Sequence, residues 1–187
     1  MIYLPKRAVF IHIPRTGGHS IKNAIAKSCI GQNIPIVIST IPTFIKQFER
    51  VQIHQTASTL RGYVREWNDI YRFAIHRPMQ DRMQSIFTWV EHLKKEGFHE
   101  QEYVSDEIRE LVGRDDYREW ITENWKDHTT KFFTEGVYGE DLGVEVYNFE
   151  DLPDRWDEIC DKCNIPRCEL PHLNTAQSFH ITQKKCI

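Results

Sequence analysis

Apolar positions near the start of the chain follow the pattern of a β-strand that leads into a helix. Residues 8–13 form an apolar run rich in β-branched side chains, and Pro14 with the pair Gly17-Gly18 then forces a turn. After the turn, small and apolar side chains recur at helical spacing, at Ile21, Ala24, Ile25 and Cys29. The pattern therefore predicts a strand, a tight loop and a helix.

Further strands and helices alternate along the chain. We predict strands over 71–76 and 144–149 and a weaker strand over 34–38. Helices are predicted over 43–50, from a cap at Thr56 or Ser58 to about Trp67, from Met83 through Leu93, and over 105–112, 116–125 and 153–163. The run over 71–76 is apolar enough for an internal strand of a parallel sheet. The sequence therefore predicts an α/β fold with a central parallel sheet flanked by helices.

Composition limits the kinds of partner that the protein can have. With 187 residues, of which 40% are hydrophobic, the chain can bury one substantial core, and we expect a single domain over 1–187. The formal net charge of -3 does not suit a nucleic-acid-binding protein, so an anionic ligand would need local basic residues. The sequence has no apolar run of about 18 residues and no signal-peptide core near Met1. We therefore expect a cytoplasmic protein without a membrane anchor; the oligomeric state stays open.

The loop after the first predicted strand has the composition of an anion-binding site. The first N–H groups of a helix have no partner within the helix, and the helix dipole favours negative charge near them. Arg15 adds a planar fork of donors, and Thr16 and Ser20 add hydroxyl groups. The same residues could also form an ordinary capped turn. Because the Walker sequence G-x-x-x-x-G-K-[ST] is absent, the loop indicates phosphate or sulfate binding and not specifically ATP.

The segment Ile-Pro-Arg-Thr-Gly-Gly-His-Ser over 13–20 resembles the 5′-phosphosulfate-binding loop of the PAPS-dependent sulfotransferases, roughly h-I-P-K-T-G-G-T-S. It is most similar to the branch with the heparan sulfate 2-O- and 6-O-sulfotransferases and their bacterial and phage relatives. Arg15 replaces the usual Lys of this family and His19 the usual Thr. The resemblance implies a P-loop-like sulfotransferase fold that binds PAPS and its product PAP. It assigns cofactor binding in this loop to Arg15, Thr16, Gly17, Gly18, His19 and Ser20.

A second segment, residues 77–87, is similar to the 3′-phosphate motif of the same family, roughly R-[DN]-P-x-[DE]-R-x-x-S-x-[YF]. Pro78 comes one residue earlier than the proline of the family. The residues in register with the motif are Arg77, Asp81, Arg82, Ser85 and Phe87. The resemblance implies that Arg77 and Ser85 bind the 3′-phosphate. Without it, the two arginines could be surface ion-pair partners of Asp81.

A third segment, His-Gln-Thr-Ala-Ser-Thr-Leu-Arg over 54–61, resembles the family pattern His-x-[ST]-A-x-x-[LI]-R. The resemblance implies that His54 is the general base. His19 is the second candidate because it belongs to the anion-binding loop itself, and Arg15 is expected to stabilise the leaving phosphate. The implied reaction is in-line transfer of a sulfuryl group from PAPS to a hydroxyl of a carbohydrate or small molecule. This reaction needs no metal.

Two other function classes stay open. One is a nucleotide- or sugar-dependent phosphotransferase with an atypical phosphate loop, which would require magnesium. The other is a non-catalytic module that binds PAP or zinc. Four potential zinc ligands lie close together in the sequence, at Cys160, Cys163, Cys168 and His172. The helical spacing of Trp156, Ile159, Cys160 and Cys163 favours instead a buried helix face, and the odd number of cysteines, five, favours reduced thiols.

Overall fold

The computed structural model describes residues 1–38, 54–97 and 106–171. Its elements in chain order are β1 Ile2–Leu4, β2 Ala8–Ile11, α1 Gly18–Ile30, β3 Val37–Ile38, α2 Ala57–Arg61, β4 Tyr71–His76, α3 Met79–Glu96, α4 Asp106–Gly113, α5 Tyr117–Trp125, α6 Thr130–Thr134, β5 Glu145–Asn148 and α7 Leu152–Lys162. A short 3-10 helix spans Trp67–Asp69. The helix predicted over 43–50 lies outside the described residues. In the described ranges, no helix is both long and apolar enough to cross a membrane.

The strands form one five-stranded sheet in the order β3-β1-β2-β4-β5. The α/β prediction is confirmed, but the prediction of a parallel central sheet is wrong for one strand, β1. β2, β4 and β5 are parallel, whereas β1 runs antiparallel to both β2 and β3. The reason lies in the connection between β1 and β2, which is a tight turn with Arg7 N–H bonded to the carbonyl of Leu4 at 3.0 Å. Such a turn is too short for the crossover that parallel strands need.

Both faces of the sheet are covered by apolar side chains. Phe10 and Phe73 belong to the cluster that α1 and α7 complete, while their sequence neighbours Val9 and Ala74 belong to the cluster that includes α2 and α6. Side chains alternate between the faces of a strand, so a strand that is covered on both sides reads as one continuous apolar run. This burial explains why the strand predicted over 71–76 is confirmed residue for residue.

Most other elements differ from the predictions only at their ends. Thr56 is the N-cap of α2, as predicted, and its Oγ1 accepts a hydrogen bond from Thr59 N–H at 3.2 Å. The helix ends at Arg61, well before Trp67. α3 starts at Met79, four residues earlier than predicted. The prediction missed this first turn because the turn is mainly polar and carries no apolar periodicity. The sequence analysis did not predict β1 or α6.

The chain divides into two compact units. Residues 1–77 and 130–171 form the sheet unit, which contains the five strands found in the described part of the chain and the helices α1, α2, α6 and α7. Residues 78–129 form the helical unit, in which α3, α4 and α5 share a core of their own, made of Met83, Ile86, Val90, Leu93, Val112, Tyr117 and Ile121. The expectation of a single domain over 1–187 stays a prediction.

The cysteine-rich segment belongs to the core of the sheet unit. Trp156, Ile159, Cys160 and Cys163 are all buried, as their helical spacing predicted. Burial raises the pKa of the Cys160 thiol to about 12 and that of Cys163 further, which favours the protonated form of both thiols. Among the described residues, no three His, Cys, Asp or Glu side chains are grouped to hold a metal ion, and the four cysteines there are free thiols. His172 lies outside these residues.

The burial of Cys163 predicts the outcome of two substitutions. Cys163→Ser should lower the free energy of unfolding by about 1–3 kcal/mol, because a hydroxyl is costly to bury among apolar side chains. Cys163→Ala, the matched control, removes the sulfur without adding a polar atom and should cost less. Urea unfolding with and without EDTA measures both effects. A wild-type protein destabilised by EDTA would show that a metal contributes to this core.

Candidate functional site

The candidate site lies where the three parallel strands of the sheet unit end. β2, β4 and β5 are neighbours, and their carboxyl ends lie at the same edge of the sheet. His12 follows β2, Arg77 follows β4 and Phe149 follows β5. This edge is where open α/β sheets form their binding crevices.

The loop between β2 and α1 is held in an unusual backbone conformation. Arg15 has a φ of 65° and Gly17 a φ of 79°, both in the left-handed region. Arginine adopts this conformation at a cost of roughly 1–2 kcal/mol, so the surrounding structure must stabilise it. The buried Thr16 contributes, because its hydroxyl donates to the carbonyl of Ile13 at 2.8 Å. The hydroxyl hydrogen of Thr16 is thus used within the loop and is not available to an anion.

Two basic turns meet at the N-terminus of α1. Nη1 of Arg77 donates to the backbone carbonyl of Arg15 at 3.3 Å, and its guanidinium carbon lies 4.8 Å from the centroid of the Phe149 ring. Burial, with a further contribution from the charge of Arg77, lowers the pKa of Arg15 to about 10. Arg15 is therefore charged at neutral pH despite its burial and the nearby charge of Arg77, and an anion bound beside the two guanidinium groups would relieve both costs.

Phe149 connects the loop to the end of β5. A β-carbon at Gly17 would lie 3.0 Å from Cε2 of Phe149, so the ring packs directly on the glycine. The N–H of Phe149 donates to the carbonyl of His76 at 2.8 Å, which continues the contact between β4 and β5. The sequence analysis did not select Phe149 as a site residue. Its only signal was an aromatic side chain directly after a predicted strand.

Three histidines surround the first part of the loop. Nδ1 of His54 lies 3.0 Å from the backbone oxygen of His12. The centroid of the His12 ring lies 4.5 Å from the centroid of the His54 ring and 6.3 Å from the centroid of the His19 ring. A carbonyl oxygen only accepts hydrogen bonds, so Nδ1 of His54 carries the hydrogen. In the neutral ring, the basic atom is then Nε2.

His12 and His19 are both held toward the neutral form. Burial, followed by the charge of His54, lowers the pKa of His12 well below its usual value. The pKa of His19 is also lowered, first by partial burial and then by the cations Lys22 and Arg15. His54 differs from His12 in being exposed to solvent.

His12 was not among the predicted site residues. It is 9% exposed, and a β-carbon at Gly18 would overlap its imidazole ring. The position of this ring explains why glycine stands at 18. The signal in the sequence was a single polar residue within the apolar run before the loop.

Eight of the nine predicted site residues belong to the sheet unit, namely Arg15, Thr16, Gly17, Gly18, His19, Ser20, His54 and Arg77. They lie in or next to the loop between β2 and α1. Ser85 lies on α3 in the helical unit, where it is half-buried, and its assignment to the 3′-phosphate stays a prediction. Pro78 immediately precedes α3 as its N-cap, with extended backbone.

The alternative in which Arg82 is a surface partner of Asp81 is wrong. Arg82 is 1% exposed, and its Nη1 donates to the carbonyl of His128 at 2.7 Å within the helical unit. This contact gives Arg82 a structural role that its place in the sequence motif did not reveal.

A cleft on the sheet unit lies beside the outer edge strand β5. Its lining is mainly acidic and polar, with Glu145, Asp151, Asp154, Asn148 and Arg155 among the residues. This charge does not suit an anionic ligand.

None of the family models, curated proteins or solved structures compared with this chain matches it. The resemblance to the sulfotransferases therefore rests on the three sequence segments described above, and the function has to be argued from the site.

The overlap between His12 and residue 18 predicts a strong effect of one added methyl group. Gly18→Ala should lower the free energy of unfolding by about 1–3 kcal/mol, because the β-carbon must displace a buried ring. Gly31→Ala is the matched control, since its β-carbon would meet its nearest neighbours at 3.5 and 3.8 Å, which are ordinary contacts. The double variant Gly18→Ala, His12→Ala should recover part of the loss. Equal stability of Gly18→Ala and Gly31→Ala in urea unfolding would contradict the described position of the His12 ring.

Proposed function

We propose that this protein transfers a sulfuryl group from PAPS to a hydroxyl group, with a carbohydrate as the acceptor class. The observation that carries the proposal is the contact of Arg77 with the carbonyl of Arg15 at the start of α1. The resemblance assigns these two turns to the two phosphate ends of one donor. Because the two turns are close together and His54 contacts His12 before the same loop, one site could hold the donor and the base together.

Donor binding in this proposal depends on charge. Arg15 and the N–H groups at the start of α1 contact the 5′-phosphosulfate, and Arg77 contacts the 3′-phosphate. Guanidinium groups bind phosphate oxygens through charge-assisted, often bidentate hydrogen bonds. The left-handed backbone at Arg15 and the ring of Phe149 under Arg77 hold both groups before the donor arrives. A site arranged in advance loses less entropy on binding.

The chemical step follows from these positions. The acceptor oxygen attacks the sulfur atom, a new O–S bond forms, and the bond between sulfur and the bridging phosphate oxygen breaks. The electron pair of the broken bond stays on that oxygen, which leaves as part of the 5′-phosphate of PAP. Arg15 stabilises the growing negative charge there. The acceptor proton passes to Nε2 of His54, the basic atom of the neutral ring.

Nucleotide binding gives the first test. PAP should raise the melting temperature more than ADP, and Arg77→Ala should weaken PAP binding by about ten- to a hundredfold, because it removes a charged hydrogen-bond donor. Arg155→Ala, an exposed arginine on α7, is the matched control and should bind PAP as the wild type does. Thermal-shift assays and calorimetric titration measure both effects. Binding of ATP with Mg²⁺ in preference to PAP would favour the phosphotransferase alternative, and no binding of either nucleotide would favour a non-catalytic module.

Turnover gives the second test. His54→Ala should keep its affinity for PAP but lose activity by about two to four orders of magnitude, because it removes the general base and not the phosphate contacts. His19→Ala is the comparison variant, since His19 belongs to the same loop and is the second candidate base. An inactive His19→Ala together with a fully active His54→Ala would exchange the two roles. Loss of PAP binding in His54→Ala would contradict the assignment of His54 as a base.

A further inference from the structure

We propose that His12 is a positioning residue for His54: its backbone carbonyl sets which nitrogen of His54 is basic, and its ring holds the ring of His54 in place. The catalytic meaning of this inference rests on the proposed function, whereas the tautomer and orientation of His54 can be measured without a substrate.

The carbonyl contact determines the tautomer. His54 Nδ1 and the His12 oxygen are 3.0 Å apart, an ordinary hydrogen-bond distance. Because the oxygen cannot donate, the contact stabilises the form of His54 with hydrogen on Nδ1. The other tautomer would set a nitrogen lone pair against an oxygen lone pair. A general base with the hydrogen on the wrong nitrogen cannot accept a proton from the acceptor at Nε2.

The ring of His12 provides a fixed support. It is buried, stacks on Phe10 at 5.6 Å with an interplanar angle of 22°, and covers Gly18. The ring of His54 packs against it with centroids 4.5 Å apart and the planes tilted by 57°. An exposed side chain without such support changes rotamer on a fast timescale. The contact therefore restricts the rotation that would break the hydrogen bond of Nδ1.

Burial also suits His12 to this role. The low pKa of His12 keeps its ring neutral while the neighbouring ring of His54 gains a proton. A second positive charge 4.5 Å away would oppose that protonation. The ring of His12 is thus a neighbour that supports His54 and does not compete with it for the proton.

Nitrogen NMR of the protein with ¹⁵N-labelled histidine tests the inference directly. Near pH 7.5, wild-type His54, assigned from the spectrum of His54→Gln, should show a protonated Nδ1 and an unprotonated Nε2. His12→Phe keeps a ring of similar size and should preserve this tautomer. His12→Ala removes the ring and should shift the population of His54 toward the tautomer with hydrogen on Nε2. Cys160→Ala, at a buried core position on α7, is the control for a general loss of packing and should leave the signals of His54 unchanged.

Wild-type His54 with the hydrogen on Nε2 would overturn the whole inference. A His12→Ala spectrum in which Nδ1 of His54 stays fully protonated would reject the supporting role of the ring, because this variant keeps the backbone carbonyl. The wild-type measurement decides the first point even if His12→Ala does not fold. In turnover assays, His12→Ala should lower kcat by about ten- to a hundredfold with unchanged PAP affinity, and His12→Phe should lower it much less. Equal kcat values for these two variants would also count against the inference. A wild type that binds no PAP but has the expected tautomer would reject the proposed function and keep the structural part of the inference.

Discussion

The candidate site depends on the parallel pairing of β2 with β4. In the register of this pair, Ile11 lies opposite Ala74, so both strands end at the same edge of the sheet. Arg15 and Arg77 are far apart in the sequence, and the pairing is what brings their turns within hydrogen-bond distance. β5 pairs with β4 in the same direction and brings Phe149 to the same edge. Any change that separated β2 from β4 would separate the two arginines as well.

The loop at this edge combines backbone strain with positive charge. Arg15 is held in the left-handed region and partly buried, although both conditions are unfavourable for arginine. The hydrogen bond of Thr16 to Ile13 and the packing of Phe149 on Gly17 stabilise this arrangement. Strain and like charges that a fold retains are typical of positions where a ligand compensates for them. The compensation that fits two guanidinium groups is a polyanion, which is why the proposal names a donor with phosphate at both ends.

His12 and His54, next to this loop, are the same residue type, and they differ in how far each is buried. His12 is buried, with its pKa lowered, and its ring stacks on Phe10 and covers Gly18, whereas His54 is exposed and its Nδ1 contacts the backbone oxygen of His12. In the proposed reaction, His54 accepts the acceptor proton, and its contact with the backbone carbonyl of His12 leaves Nε2 as the accepting atom. One polar residue directly after an apolar strand therefore both covers Gly18 with its ring and contacts His54 through its backbone oxygen.

The sequence by itself determined the elements whose signals are local. The apolar run of β4, the cap of α2 at Thr56 and the buried face of α7 are all readable from spacing, because side-chain periodicity follows directly from strand and helix geometry. The composition of the loop over 13–20 predicts an anion site, which stays a prediction. The tertiary structure alone decided which residues from distant parts of the chain meet. It made β1 antiparallel, buried Arg82 on a backbone carbonyl, and brought His12 and Phe149 into the site. These features depend on strand pairing and packing between segments far apart in the sequence, which local periodicity does not encode.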